Sequence, residues 1–410
     1  MSGVARLGLG VVATVLIGAS AAACGQGGVG QSNSLPPCHS ATATGCDMSK
    51  LPTTCLGKGT RTITASPIAL DDILYIQPMG LMIGAHVTPI DHGYIYIKGA
   101  MANPPQQAAV FAPLDGNIST VSRSTRNGPA GAYDDYALRI EASCTFRFSF
   151  SNLVRLAGGL ASKVGQLQPN ESQMPNYKVK AGELIGYTGL PTGLGIDIAV
   201  QNDDLTLTGF INPAQYTAAE VWKTHMADLF DYTQEPLKTQ LLALLERDAT
   251  PRWGKIDYDI DGRLVGNWFL VGSGGYAGLS NMREGFSIGH LAVVYDGNDP
   301  GQVDVSFGNY QGHPEQFAVA GNTPDPATVD RSTGLVRYEL ALIEHYSFST
   351  GVVGDNVSFL PHIRTRAASR VEGTVLMQLV DQRSLKIEIF PGKRSADVSG
   401  FDSGALMYSR

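Results

Sequence analysis

The stretch HVTPIDHGYIY, residues 86 to 96, brings His86, Asp91 and His92 together within seven residues. Imidazole and carboxylate groups this close can share a divalent metal, or can act as a base and the group that orients it. The structural alternative is that Asp91 only steadies His92 by a hydrogen bond, or caps a turn beside Pro89. Tyr94, Ile95, Tyr96 and Ile97 form a β-prone run after His92. Residues two apart on a strand share a face, so His92, Tyr94 and Tyr96 are expected side by side. A second alternating run, Ile196 to Val200, carries Asp197. Zinc-assisted hydrolysis needs three protein ligands and one position left for water. The best set here is His92 and Asp197 with one of His86 or Asp91.

Other chemistry finds less support. DYDIDG, residues 257 to 262, imitates the start of an EF-hand loop, but the twelfth position is Trp268 where a bidentate Glu is required; the carboxylates read as solvated turn residues. GSGGYAG, residues 272 to 278, lacks the Lys-Ser/Thr ending of a phosphate-binding loop and reads as a flexible hairpin loop. No Gly-x-Ser-x-Gly elbow occurs, and Cys144 falls in a β-prone run. His290, His313, His345 and His362 are scattered without ligand spacing, and His225 is a lone histidine in a helical pattern.

Val179 to Val200, VKAGELIGYTGLPTGLGIDIAV, consists of two apolar runs around a loop rich in glycine, the pattern of a hairpin-like unit. Glycine is required where a loop takes positive φ or two backbones come close. The wording V-x-A-G-E-x-I-G-x-x-G resembles the last core hairpin of the lysostaphin-type (LytM-like) zinc endopeptidases of bacterial cell walls. VFAPLDGNI, residues 110 to 118, is similar to that family's V-x-A-P-x-D-G-x-V strand. The resemblance covers residues 76 to 212 and implies an antiparallel β domain. Its reactive residues are mostly replaced. His92 matches the histidine of the H-x-x-x-D motif, but Tyr96 stands in place of the aspartate. Asn152 takes the position of the Tyr-x-His histidine, and Gly195 and Asp197 replace the His-x-His pair. The resemblance therefore implies a candidate cleft of His86, Asp91, His92, Tyr94, Tyr96, Asn152 and Asp197 that has lost most of its zinc site.

Around these residues the chain reads as mainly β. Thr62 to Ser66 alternates as a strand, and Tyr136 to Leu153 as two strands or one bent strand. Thr217 to Arg247 shows helical periodicity broken at Pro236, so two helices are expected. From Lys255 onward seven strand candidates follow: Leu264 to Val271, Leu291 to Tyr295, Val303 to Phe307, Phe317 to Ala320, Arg337 to Ile343, Val371 to Val380 and Leu385 to Phe390. That spacing suits an antiparallel barrel or sandwich. GNWF, residues 266 to 269, resembles the opening motif of lipocalin-like barrels. The expected layout is a signal over 1 to 24, a tether and cysteine-bearing segment over 25 to 60, and the LytM-like domain over 61 to 215. A helical connector over 216 to 250 and a β-barrel or sandwich over 251 to 410 complete it.

The first 24 residues show Arg6, an apolar run from Leu7 to Ile17 and small residues up to Cys24, the layout of an export signal. Its Ala-Ala-Cys ending resembles a bacterial lipobox, which implies lipidation of Cys24 and anchoring to the membrane of the cell envelope. Gly25 to Ser34 has the composition of a flexible tether. Cys38, Cys46, Cys55 and Cys144 form an even set, expected as disulfides outside the cytoplasm, with three pairings open. The spacing around Cys38, His39, Cys46 and Cys55 lacks the close steps of a zinc knuckle. A net charge of −7 argues against nucleic acid as a partner. The sequence thus points to an exported, lipid-anchored protein with a degenerate, non-catalytic endopeptidase-like domain that binds peptidoglycan or an envelope protein and needs no cofactor. Two alternatives stay open: a divergent zinc metallopeptidase of the cell wall, and small-molecule or lipid binding by the C-terminal barrel.

Overall fold

The computed structural model describes Cys55 and residues 57 to 410, apart from 101, 103 to 105, 129 to 130, 190 to 194, 279 to 285 and 355 to 358. The expected signal, Cys24, the tether, Cys38 and Cys46 lie outside the described residues. Strand β1 (Ile73–Gln77) pairs antiparallel with β2 (Gly93–Ile97), and β3 (Ala108–Phe111) then leaves for a second sheet. A long meander follows through β4 (Gly116–Gly128), β5 (Gly131–Glu141) and β6 (Phe146–Leu153). Next come β7 (Arg155–Leu156), helix α1 (Gly158–Val164), β8 (Glu171–Gln173), β9 (Tyr177–Val179), β10 (Leu184–Thr188) and β11 (Ile196–Asn202). The large sheet has the order β1-β2-β11-β6-β5-β4-β8, with β9 also on β4, and the small one is β3-β10-β7.

The hairpin expected over Val179 to Val200 is not one. β10 pairs with β3 and β7, whereas β11 lies between β2 and β6. The glycine-rich loop therefore carries the chain from one sheet to the other. Thr62 to Ser66 forms only an isolated bridge, at Ile63 to Thr233. Tyr136 to Leu153 is the β5–β6 pair, and Cys144 sits in the turn between these strands rather than within one. There it is disulfide-bonded to Cys55, 89 residues earlier.

Helix is scarcer than the periodicity of 217 to 247 suggested. That stretch holds the end of α2 (Pro213–Thr217), α3 (Leu237–Leu242) and single turns at Lys223–His225 and Leu229–Asp231. The reason is the sheet beneath: Met226 bridges Gln201, Ala227 N–H donates to the Val200 carbonyl, and Leu207 N–H donates to that of Thr224. Apolar side chains spaced as for a helix are instead buried by an extended strap. His225 Nδ1 meets the Leu205 carbonyl and is satisfied locally.

All seven C-terminal strand candidates are present, and an eighth closes the barrel. In order they are β12 (Gly266–Leu270), β13 (His290–Tyr295), β14 (Val303–Tyr310), β15 (His313–Val319), β16 (Val336–Ser347), β17 (Ile363–Leu379), β18 (Ser384–Pro391) and β19 (Leu406–Ser409). β19 has four residues and pairs with both β18 and β12, removing the free edges. Inward-facing Trp268, Phe307, Tyr338 and Met377 belong to one buried cluster that fills the interior. Each large side chain so buried contributes about 2 to 3 kcal/mol. Arg410 stacks on Trp268 with its guanidinium 4.0 Å from the ring centroid.

The first half and the barrel pack against each other. Asn267 Nδ2 donates to the Tyr216 hydroxyl at 3.1 Å, and Arg247 Nη1 donates to the Gly297 carbonyl at 2.7 Å. Asp257 and Asp259, expected to be solvated, are buried and accept from the backbone N–H groups of Gly209 and Ile211. They pin the approach to the barrel.

Glu246 lies in the same seam, accepting from Gln77 Nε2 at 3.1 Å and from Leu360 N–H at 3.5 Å. Burial pushes its carboxyl up to about 7 from the usual 4.5, against these hydrogen bonds and the nearby His345. A raised carboxyl pKa costs stability as pH climbs from 4.5 through 7, because the folded chain must then bury the charge. Glu246→Gln is therefore expected to flatten that part of the pH profile and to raise the melting temperature at pH 8 relative to the wild type. Thermal melts between pH 5 and pH 8 test this.

Candidate functional site

The polar face of the large sheet forms the floor of the site. On β6 and β11 one face presents Phe148, Phe150, Ile198 and Val200 to the core, and the other presents Ser149, Ser151, Asp197 and Gln201. Alternation along each strand separates the two faces. Arg139 on β5 lies opposite Ser149 and extends the polar row. The strap with Trp222 and Met226 lies over this face, leaving a cleft of about 50 Å³ lined also by Asp91 and His92.

His92, Tyr94 and Tyr96 share a face as expected, with ring centroids 5.2 Å apart for the first pair and 6.2 Å for the second. His92 Nδ1 lies 2.9 Å from Asp91 Oδ1, and its Nε2 lies 3.2 Å from the Tyr94 hydroxyl and 3.8 Å from Asp197 Oδ2. Burial opposes a charge on His92, but Asp91 and Asp197 outweigh it and raise its pKa above the ordinary 6.5. Burial likewise opposes the Asp91 carboxylate. Lys223, His92 and the Trp222 indole N–H, which donates to Asp91 Oδ2 at 2.9 Å, overcome it and hold the carboxyl well below the usual range. His86 stands edge-on to His92 with ring centroids 5.8 Å apart.

Asp197 is held on both oxygens. Ser151 Oγ donates to Oδ2 and Asn152 Nδ2 to Oδ1, each at 2.6 Å. Burial still pushes its carboxyl up, offset in part by His92 and Ser151. Asn152 is itself fixed from three sides. Its backbone has φ 66°, a left-handed conformation that asparagine tolerates. Its N–H donates to Asp135 Oδ1 at 2.9 Å, and its carbonyl accepts from Thr188 Oγ1 at 2.9 Å. Arg126 Nε closes the chain by donating to Asp135 Oδ2 at 2.6 Å.

A second cleft, also about 50 Å³, lies on the other side of Asp91 and His92, lined by Glu220 and Lys223 from the strap and by Tyr276 and His290 from the barrel. Lys223 Nζ donates to the Tyr276 hydroxyl at 2.8 Å, and that hydroxyl donates to Glu220 Oε2 at 2.5 Å. Burial raises the Glu220 carboxyl, and Lys223 works against that rise. His290 stacks on Tyr276 at 5.3 Å, and burial pushes its imidazole down to about 3. The GSGGYAG segment thus includes an ordered turn whose tyrosine reaches the site.

Six of the seven candidate residues, Asp91, His92, Tyr94, Tyr96, Asn152 and Asp197, form one connected set, with His86 at its edge. The zinc tripod implied by the family resemblance does not fit them. Tyr96, in the aspartate position, stacks on Tyr75 at 4.5 Å. A Cβ on Gly195, the first histidine position of the pair, would fall 2.1 Å from the Ile95 carbonyl oxygen and 2.9 Å from Tyr96 N. Both are backbone atoms of β2, so no side chain fits there. Among the described residues no group of three or more His, Cys, Asp or Glu is gathered for a metal.

The cleft neighbours not singled out in the sequence are Arg139, Gln201, Glu220, Trp222, Lys223 and Tyr276. An indole and a lysine just after Glu220 were the available signal, hidden by the helical pattern around them.

No family profile matches the chain, and no curated protein matches it. Among solved structures, a chain of the SpoIIQ-SpoIIIAH pore forming complex is similar to 44% of this chain and 96% of that chain, at 10% identity and a TM-score of 0.23. At that identity and score the likeness carries no argument about what this chain does.

Two outcomes test the geometry. Asp91→Asn removes the principal support of the His92 charge, and an NMR titration of the imidazole is expected to show its pKa lowered. Gly195→Ala drives a methyl into the β2 backbone and is expected to cost roughly 2 to 4 kcal/mol in denaturant unfolding.

Proposed function

We propose that this chain is an exported, envelope-attached recognition protein that binds cell-wall glycan-peptide or an envelope protein in the cleft between the sheet and its strap, and that it breaks no bonds. The observation that carries this reading is the engagement of the would-be ligands by neighbouring side chains. Both oxygens of Asp197 take internal hydrogen bonds, and the Gly195 position is filled by the neighbouring strand. A hydrolytic zinc requires donors that point at one free centre. Here His92 is engaged by Asp91 and the Tyr94 hydroxyl, and Asp197 by Ser151 and Asn152.

The cleft is suited to recognition. It offers an indole, a guanidinium, an amide and serine hydroxyls around a buried charged pair, the mixture of apolar wall and few polar groups that orients a bound ligand. Export accords with the Cys55–Cys144 disulfide, a bond that persists in oxidising compartments. The anchoring at Cys24 rests on the sequence. The barrel interior is filled by its own side chains, so no observation favours it as a small-molecule or lipid carrier.

Co-sedimentation of the full chain with purified sacculi tests the reading. The wild type is expected to pellet, and Arg139→Ala with Trp222→Ala to weaken binding about tenfold while melting as a folded protein. Failure of the wild type to pellet removes the cell wall as ligand. Protein purified in the presence of zinc is expected to hold well below one equivalent. One equivalent that disappears in His92→Ala would overturn the non-catalytic reading in favour of a divergent metallopeptidase.

A further inference from the structure

The turn from β13 to β14 reads DGNDPGQVD, residues 296 to 304, and carries the carboxyls of Asp296, Asp299 and Asp304. Asp304 lies opposite Val294 in the β13–β14 register, and Asp296 follows Val294 by two residues, so both side chains leave the same face of the barrel wall. That face is the outer one, where Val294 packs with Tyr258 and Val265; the inner one belongs to Val303, Val305 and Phe307. The two acids are served unequally. Asp296 Oδ1 accepts from Thr365 Oγ1 at 2.9 Å, from Asn298 N–H at 2.9 Å and from Asp299 N–H at 2.7 Å, and its Oδ2 lies 3.3 Å from His345 Nε2. Asp304 is 1% exposed, and among the described residues nothing donates to its Oδ1. Its hydrogen bond is to Asp296, and two carboxyls bond to each other only while one of them keeps its proton. The same turn is seated on the first half of the chain. Arg247 Nη1 donates to the Gly297 carbonyl, and a Cβ on Gly297 would fall 2.8 Å from the backbone of Gly80.

We propose that Asp296 and Asp304 share a single proton, carried by Asp304 and donated to Asp296, and that this proton holds the turn against the first half, making the seam a pH-sensitive joint. The groups facing the pair decide which acid keeps it. Burial opposes a charge on Asp296, but His345 from β16, Thr365 from β17 and the N–H groups of the turn overcome it and hold that carboxyl below the ordinary 3.8. Burial, the charge of Asp296 and the charge of Asp299 push Asp304 well above the same value. Tyr258, beside the pair, is buried and held in its neutral form. Arg247 lies near Asp296 and Asp299, but its guanidinium donates to the carbonyls of Ala249, Pro251 and Gly297. Glu246 bears on the pair only through His345. The folded chain thus keeps a proton on Asp304 that the unfolded chain releases above 3.8. The stability this proton contributes is complete below that value and is lost as pH rises through the folded pKa of Asp304. Once the proton leaves for solvent, two buried carboxylates stand side by side, and relief comes from admitting water at the turn, which parts it from Gly80.

NMR of the carboxyl carbons in the aspartate-labelled full chain tests this, with Asp304 and Asp296 assigned by the signals lost in Asp304→Asn and Asp296→Asn. At pH 6 the Asp304 carbon is expected at the shift of a protonated acid and the Asp296 carbon at that of a carboxylate. Asp304→Asn keeps a donor for Asp296 and removes the titration. Its melting temperature relative to the wild type is therefore expected to rise by roughly 2 to 4 °C between pH 5 and pH 9; Glu246 titrates in both proteins and cancels in that difference. At pH 9 the Asp296 and Asp299 amides are expected to exchange about tenfold faster in the wild type than in Asp304→Asn. An Asp304 carboxyl that titrates near the ordinary value of about 4 overturns the proposal, as does a difference in melting temperature that stays constant with pH. Calcium or magnesium that stabilises the EDTA-treated wild type but not Asp304→Asn overturns it too, by showing that a cation rather than a proton joins the two carboxyls.

Discussion

The approach of β11 to β2 is the contact on which the rest of the site depends. Gly195 and Ile95 bring backbone against backbone, closer than any side chain would allow. That closeness sets the register in which Asp197 lies opposite Tyr94 and within 3.8 Å of His92. The resulting buried carboxylate is then tolerable only because Ser151 and Asn152 donate to it. Asn152 can do so because its backbone turns left-handed and is tied to Asp135 and Thr188. The Gly195 position is taken up by strand packing, and the charges of Asp91, His92 and Asp197 lie in a network of hydrogen bonds.

Much of the framework was legible in the residues. Period-two alternation identified β2, β6, β11 and seven barrel strands, because a half-buried strand must alternate. β19 escaped notice because four residues, only one of them well buried, show too little period to read. The reading of Val179 to Val200 as one hairpin failed for a different reason. Strand, glycine loop and strand look alike whether the two strands pair or are divided between sheets, and the partner strands, β3 and β7 for β10 and β2 and β6 for β11, decide that question here.

Within the site, the local cluster of His86, Asp91, His92 and Tyr94 was readable since sequence neighbours on a strand are neighbours in space. The distant partners were not. Trp222, Lys223 and Glu220 sat inside an apparently helical pattern that the strap produces through its own burial against the sheet, and Tyr276 was concealed in a run of glycines. Two of the three partners that control the Asp91 charge, Lys223 and Trp222, are supplied by a chain segment more than a hundred residues away.

The link from Lys223 to Tyr276 has a wider meaning. Tyr276 is rooted between Tyr216, Phe269 and His290, all packed at the junction with the barrel, while Lys223 is the cation that helps keep Asp91 ionised. Tyr276 and His290 line one of the two clefts directly, so the seating of the barrel bears on the electrostatics of Asp91 and His92. Sheet and barrel thus share one set of charges across their junction.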